Sequence, residues 1–256
     1  MKNLHGEVAM VTGAGSGIGR ATAMALGAGG CRVAVTDIDL AAASATTAEI
    51  VRAGGTASSW AYDVTDPDRG VALAAEIEKE LGTVTILVNN AGIAVAGFFV
   101  DTSRESFDQV VSINLMGVVN GCRAFLPAMI ESGRHGHVVN IASVLGQIGV
   151  RGVSAYCMTK FGVVGFSESL RAEMYSHGIG VSTICPGMIR TNIIDNGTLE
   201  SSDADVERKR AKIKALFQKR NFPPEKVARA VIRAIQKNKG VVPVTHEAVS
   251  YTHLRA

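Results

Sequence analysis

At 256 residues, with 47% apolar and 19% charged side chains and a net charge of +3, the chain has the size of one α/β domain whose core needs no disulfide or metal. High apolar content with low net charge excludes a disordered chain. The four cysteines (Cys31, Cys122, Cys157, Cys185) lie far apart with no CxxC pair, which excludes a disulfide framework or a zinc spacing and reads as free thiols in a reducing compartment.

No apolar leader-like run precedes the first glycines of MKNLHGEVAMVTGAGSG, so a cytoplasmic protein is expected. Short runs rich in Val, Ile and Ala then alternate with Ala-rich stretches of helical length. The runs predict strands at Val8–Thr12, Arg32–Asp37, Thr56–Asp63, Ile86–Asn89, His137–Ala142, Gly180–Cys185 and Gly240–Thr245. Between them, helices are predicted at 17–29, 39–54, 66–82, 104–130, 154–177, 205–219 and 224–238, with Asp66-Pro67 and Pro223-Pro224 as start signals. Strands this continuously apolar are covered on both faces. The reading is a Rossmann-like doubly wound sheet of about seven parallel strands with helices on both faces, one domain over residues 1–256. The uncharged run Leu81–Val100 is long enough to cross a bilayer, but Asn89, Asn90, Gly82, Gly92 and Gly97 inside it fit a buried strand and its loop. Gly187–Asp203 is the long irregular stretch, and a substrate loop or lid is predicted at about 187–222.

The first predicted strand runs into Thr12-Gly13-Ala14-Gly15-Ser16-Gly17-Ile18-Gly19, which opens a helix. Glycines there let the backbone approach a pyrophosphate, and the helix start offers N–H groups and positive dipole. No Lys-Ser/Thr follows, so the loop is not that of an ATPase. Asp37, ending the second predicted strand, is placed to accept from the adenosine ribose hydroxyls and to repel a 2′-phosphate; it could also cap the helix that follows. With Ile38 beside it and Ser16 in the loop, no basic residue answers a 2′-phosphate, so NAD is expected over NADP.

Asn89-Asn90-Ala91-Gly92 puts polar side chains at the end of the fourth predicted strand, and Asn114 interrupts an apolar helical stretch, which implies a buried network or bound water. Ser143 ends the fifth predicted strand, at the sheet edge where α/β folds bind ligands. Tyr156 and Lys160 are spaced i, i+4 on one helix face. A cation there lowers the phenol from its usual value near 10 toward a working range. Cys157 points away from Tyr156 and reads as packing, and the histidines carry no metal spacing.

In this order and spacing, TGAGSGIG at 12–19, Asp63-Val64, NNAG at 89–92, Asn114, Ser143, Tyr156 to Lys160, and Pro186-Gly187 through Thr191 resemble the short-chain dehydrogenase/reductase family across essentially the whole chain. The resemblance implies hydride transfer between NAD and a secondary alcohol or ketone. In it Tyr156 is the general acid/base, and Lys160 tunes Tyr156 and binds the nicotinamide ribose. Ser143 orients the substrate oxygen, and Asn114 holds a relay water. It further implies cofactor contacts from Gly13, Gly15, Ser16, Gly17, Ile18, Gly19, Asp37, Asp63, Val64, Asn90, Ala91, Gly92, Tyr156, Lys160, Pro186, Gly187, Ile189 and Thr191, and a homotetramer built through 104–130 and 154–177.

The substrate side is apolar, with Leu145, Ile148, Met188 and Ile193 beside Ser143 and Tyr156, further apolar candidates at Ile93, Ala94, Val95, Val150 and Ile194, and Gln147 as the polar exception. A steroid-, terpenoid- or lipid-like substrate fits such a lining. Residues 201–256 are net basic while 1–200 are net acidic. The basic 206–220 segment reads as a solvated helix with one packed face; its sharper readings are a lid over an anionic carrier-linked substrate or contact with acidic lipid. No aromatic row accompanies the charge, so nucleic acid is not expected as a partner. Two other functions compete. One is a 3-oxoacyl-thioester reductase, against which Asp37 argues. The other is a non-catalytic dinucleotide sensor, which has no need of Ser143, Tyr156, Lys160 and Asn114 together.

Overall fold

The computed structural model describes residues 1–191, 193, 197–200, 211, 214–215, 220–245 and 248. Its strands in chain order are β1 (Val8–Thr12), β2 (Arg32–Asp37), β3 (Thr56–Ala61), β4 (Ile86–Asn89), β5 (Val95–Ala96), β6 (Gly136–Ile141), β7 (Ile179–Cys185), β8 (Thr198–Leu199) and β9 (Val241–Pro243). Its helices are α1 (Gly17–Ala28), α2 (Leu40–Arg52), α3 (Pro67–Leu81), α4 (Arg104–Val111), α5 (Gly117–Glu131), α6 (Ser154–Met174) and α7 (Pro224–Lys237). The main sheet is parallel, with order β3-β2-β1-β4-β6-β7-β9, so the chain reverses its direction of winding between β1 and β4. The crevice above that reversal is where such sheets bind ligands.

Helices cover both faces of the sheet, which is why β1, β4, β6 and β7 are buried along their whole length. On one face Leu26, Ile50, Val227, Val231 and Ile235 pack against Val11, Val33 and Val35. On the other, Leu73, Ile77, Phe125, Met129 and Leu170 pack against Met10, Leu87 and Val138. The cap signals hold: Asp66 accepts from the Arg69 N–H before Pro67, and Pro223 precedes the first residue of α7.

Several boundaries differ from the sequence reading. β3 stops at Ala61 because the Asp63 carboxylate accepts from both the N–H and the hydroxyl of Thr65 and turns the chain. The helix expected at 104–130 is α4, a π-turn over Ser112–Met116, and α5. That 28-residue stretch is long and apolar enough by composition alone to span a bilayer, but half of its most apolar 18-residue window is buried within the fold. The helix expected to 177 ends at Met174 and tightens into a 3₁₀ turn. β5 and β8, two residues each, pair with one another outside the main sheet and are too short to leave a periodicity. The helix expected at 205–219, with its basic side chains Arg208, Lys209, Arg210, Lys212 and Lys219, lies outside the described residues apart from Ala211, Lys214 and Ala215; Ile194 also lies outside.

Candidate active site

The loop leaving β1 is shaped for backbone rather than side chains. Gly13 and Gly17 have φ of +60° and +53°, in the left-handed region. A Cβ on Gly13 would stand 2.9 Å from the Ala91 Cα, and one on Gly19 would stand 2.1 Å from the Gly13 carbonyl. Helices α2, α3 and α4 are each capped by a side chain (Asp39, Asp66 and Ser103), whereas Ser16 makes no cap bond to α1. The N–H groups that open α1 at Gly17, Ile18 and Gly19 thus have no side-chain cap, beside a bed that any Cβ would fill.

Asp37 faces the same loop. Its Oδ2 accepts from the Gly15 N–H at 2.9 Å, and its Oδ1 accepts from the Asp39 N–H at 3.1 Å. Asp39, not Asp37, caps α2 by accepting from Ala41 and Ala42. Asn90 and Ala91 seat the end of β4 on β1: their N–H groups donate to the Thr12 hydroxyl, and the Asn90 amide donates to the carbonyls of Thr12 and Gly13. Thr12 is thus part of the site, and sequence reasoning passed over it; a hydroxyl closing an apolar strand was the available signal. Asp63 is held in its turn with Thr65. Val64 is buried, packs over Gly117, and gives its carbonyl to the Asn120 amide. From the far side, Thr191 packs over Gly17, while the Ile189 side chain enters the core with Ala14. Pro186, which with Gly187 leads from β7 toward Thr191, accepts from the Val144 N–H.

Gly92 joins this loop to a second cluster. A Cβ there would lie 3.1 Å from Asn114 Oδ1 and 3.6 Å from Lys160 Nζ. Asn114, fully buried in the π-turn, accepts from the Ile93 N–H at 2.8 Å and donates to the Ile93 carbonyl at 2.9 Å. The extra residue of a π-turn turns this side chain inward. Lys160 is buried, donates to the Ile141 carbonyl at 3.1 Å, and holds its ammonium 5.6 Å from the centre of the Tyr156 ring. Ser143 is buried at the end of β6, accepts from the Leu145 N–H, donates to the Pro186 carbonyl at 3.5 Å, and lies near enough to the Tyr156 phenol to act on its proton.

The electrostatics of the pair differ from the sequence reading. Burial pushes the Tyr156 phenol up from 10.0 to about 12, with the Ser143 hydrogen bond pulling the other way. The lowering expected from Lys160 does not prevail. The ammonium sits over the ring face with its hydrogen bond given to Ile141, and a buried phenolate lacks water. Lys160 itself is driven down by burial from 10.5 to about 8, opposed by Cys185.

On the substrate side Leu145, Ile148, Met188 and Ile193 are half-buried. Val95 packs with Val110 and Ala155 against Ile93, Phe107 and Tyr156. Val150 is exposed, as are Phe98, Phe99 and Val100 beyond β5. Gln147 corrects an expectation. It lines, with Gly146, Phe161, Val164, Gly165, Glu168 and Val241, a cavity of about 350 Å³ that includes none of Ser143, Tyr156 and Lys160. All four cysteines are free and buried.

The sequence matches the short chain dehydrogenase family over residues 7–202. It is 44% identical to the probable oxidoreductase EphD of Mycobacterium bovis over 241 residues, which cover 93% of this chain and 41% of that protein; the chain spans about two fifths of that relative's length. It is 41% identical over 186 residues to a sorbitol dehydrogenase of Cereibacter sphaeroides, covering 73% of this chain and 72% of that one. Among solved structures, a short chain dehydrogenase/reductase from Burkholderia phymatum in complex with NAD is similar with a TM-score of 0.93 at 28% identity, covering 100% of this chain and 94% of that one.

Proposed function

The chain belongs to the short-chain dehydrogenase family, and on that premise we propose that it is an NAD-dependent oxidoreductase acting on an apolar secondary alcohol or ketone. The observation that carries the reading is the junction at Gly92, where the glycine loop meets Asn114 and Lys160 beside Tyr156 and Ser143.

A nicotinamide dinucleotide fits the residues present. The bed over Gly13 and Gly19 admits no Cβ, the start of α1 carries no side-chain cap, and Asp37 turns a carboxylate toward Gly15. Gly13 to Gly19 would hold the pyrophosphate and Asp37 the adenosine ribose, while the Asn90–Gly92 loop and Thr191 would flank the rest. When bound, the dinucleotide supplies a two-electron hydride acceptor or donor.

The chain's own residues then manage one proton. In the reducing direction Tyr156 donates its phenol proton to the carbonyl oxygen as that oxygen gains charge, and burial keeps the phenol protonated until then. Ser143, beside the Tyr156 phenol, holds the same oxygen in line. As the phenolate forms, the Lys160 charge over the ring stabilises it. In the oxidising direction the same groups run in reverse, with the phenolate as base.

The half-buried Leu145, Ile148, Met188 and Ile193 support an apolar substrate. Assaying secondary alcohols of graded size with NAD and then NADP tests the assignment. Turnover is expected with apolar members and NAD, and no turnover across the panel with either cofactor removes the reading. A cytoplasmic homotetramer joined through α4, α5 and α6 belongs to the same proposal, supported by the exposed Met116 and Met158 on those stretches. A monomer in sedimentation analysis would remove that part.

A further inference from the structure

A carboxylate that the proposed chemistry does not use holds the outer end of the wall beside Tyr156. That wall is β5. Its Val95 packs on Ala155 and against Tyr156, and its approach through Ile93 is fixed on both sides by Asn114. β8 lies along β5 in parallel register, Val95 opposite Thr198 and Ala96 opposite Leu199. The N–H groups of Thr198 and Glu200 donate to the carbonyls of Ala94 and Ala96 at 2.9 and 2.8 Å. Gly97 then donates to the Gly152 carbonyl at 2.8 Å, four residues before Tyr156. A Cβ on Gly97 would stand 2.5 Å from the Glu200 carbonyl, so the two strands approach as closely as glycine permits.

Two residues per strand cannot hold a pairing on their own. The Glu200 side chain supplies what the ladder lacks. Its carboxylate accepts from the Ser103 N–H at 2.6 Å, the Ser103 hydroxyl at 2.8 Å and the Ser106 hydroxyl at 2.7 Å, at the start of α4. A negative charge there meets the positive end of the helix dipole, and its hydrogen bonds are of the charge-assisted kind. Desolvation raises the Glu200 carboxyl, and the bonds from Ser106 and Ser103 outweigh it, leaving the group below its usual value. The bound carboxylate thus ties β8 to α4, and α4 supplies Val110 and Phe107 to the same cluster as Val95 and Tyr156.

We propose that Glu200 is a positioning residue: by fastening β8 to the start of α4 it fixes β5 against Tyr156 and so sets the substrate wall, without touching the cofactor loop. The kinetic part rests on the oxidoreductase reading above; the structural part does not. Ordinary helix capping would give a different signature, a general loss of stability with substrate kinetics unmoved.

The test compares Glu200→Ala and Glu200→Gln with the unaltered full chain by amide hydrogen exchange and by oxidation of 4-phenyl-2-butanol with NAD. In Glu200→Ala, exchange at Gly97, Thr198 and Glu200-position amides is expected to rise about tenfold or more while β1, β4 and β6 keep their protection. The KM for the alcohol should rise about fivefold to twentyfold with the KM for NAD within about twofold, and Glu200→Gln should recover part of the loss. Ser106→Ala, which removes one donor, should give the same pattern at smaller size and serves if Glu200→Ala fails to fold. Unchanged exchange at those amides, or a rise shared equally by the main sheet, overturns the proposal, as does an unchanged alcohol KM. If the unaltered protein oxidises neither this alcohol nor any member of the graded panel, the oxidoreductase reading fails and the exchange pattern alone decides the role of Glu200.

Discussion

Lys160 holds its ammonium 5.6 Å from the centre of the Tyr156 ring while giving its hydrogen bond to the Ile141 carbonyl. Charge and phenol are neighbours without being bonded. The fold therefore keeps Tyr156 protonated, by burial, and in the proposed chemistry the neighbouring cation would steady the phenolate when the proton leaves.

This arrangement fixes the sign of the pH dependence. Burial raises the Tyr156 phenol to about 12, so the base form needed for alcohol oxidation is scarce at neutral pH and grows as pH rises. The kcat/KM for alcohol oxidation should climb with pH between about 6 and 9, approaching tenfold per unit where Tyr156 alone governs. Ketone reduction, which uses the protonated form, should stay level or fall. An oxidation rate independent of pH over that range would contradict the assignment of Tyr156 as base.

Lys160, in the role proposed for it, should cost the fold stability. Its amine is lowered from 10.5 to about 8, so below about 8 the folded state carries the whole burden of a buried charge, and above 10.5 it carries none. Lys160→Met is expected to inactivate the protein and raise its stability at pH 7 by roughly 1–3 kcal/mol, with the gain shrinking toward pH 10. Denaturant melts at the two pH values measure it. A loss of stability at pH 7 would mean that the bond to Ile141 outweighs desolvation.

Much of the fold was legible because parallel strands buried on both faces announce themselves as continuous apolar runs, and the β1 and β2 boundaries agree with the sequence reading to the residue. What escaped it depends on contacts distant in sequence. The π-turn exists where Asn114 reaches Ile93, and nothing in the local spacing of 104–130 marks it. β5 and β8 become strands only because they meet. Gln147 looked like a substrate-side residue by its distance from Ser143, but it lines the cavity shared with α6 and β9. Lysine proximity to Tyr156 was readable from i, i+4 spacing; the depth of burial that governs the phenol was not.

Cofactor choice should rest on Asp37. With Asp39 capping α2, replacing Asp37 leaves that cap in place but removes the bonds it accepts from the Gly15 and Asp39 N–H groups, so the cofactor kinetics are read beside a melting curve. The unaltered protein should favour NAD over NADP by about tenfold or more in kcat/KM, because the carboxylate repels a 2′-phosphate. Asp37→Ser should narrow that ratio mainly through a higher KM for NAD, with a modest fall in melting temperature from the lost bond to Gly15. Equal use of the two cofactors by the unaltered protein would remove Asp37 from this role.

The most direct measurement is single-turnover hydride transfer in Tyr156→Phe, alongside calorimetric titration with NAD. The phenyl ring keeps the packing with Val95 and Ala155 and loses only the hydroxyl. A fall in the single-turnover rate constant of about 10²–10⁴-fold with NAD affinity within about twofold is predicted. A variant that still turns over at near the original rate would show that the proton travels by another group, and the account of this site would be wrong.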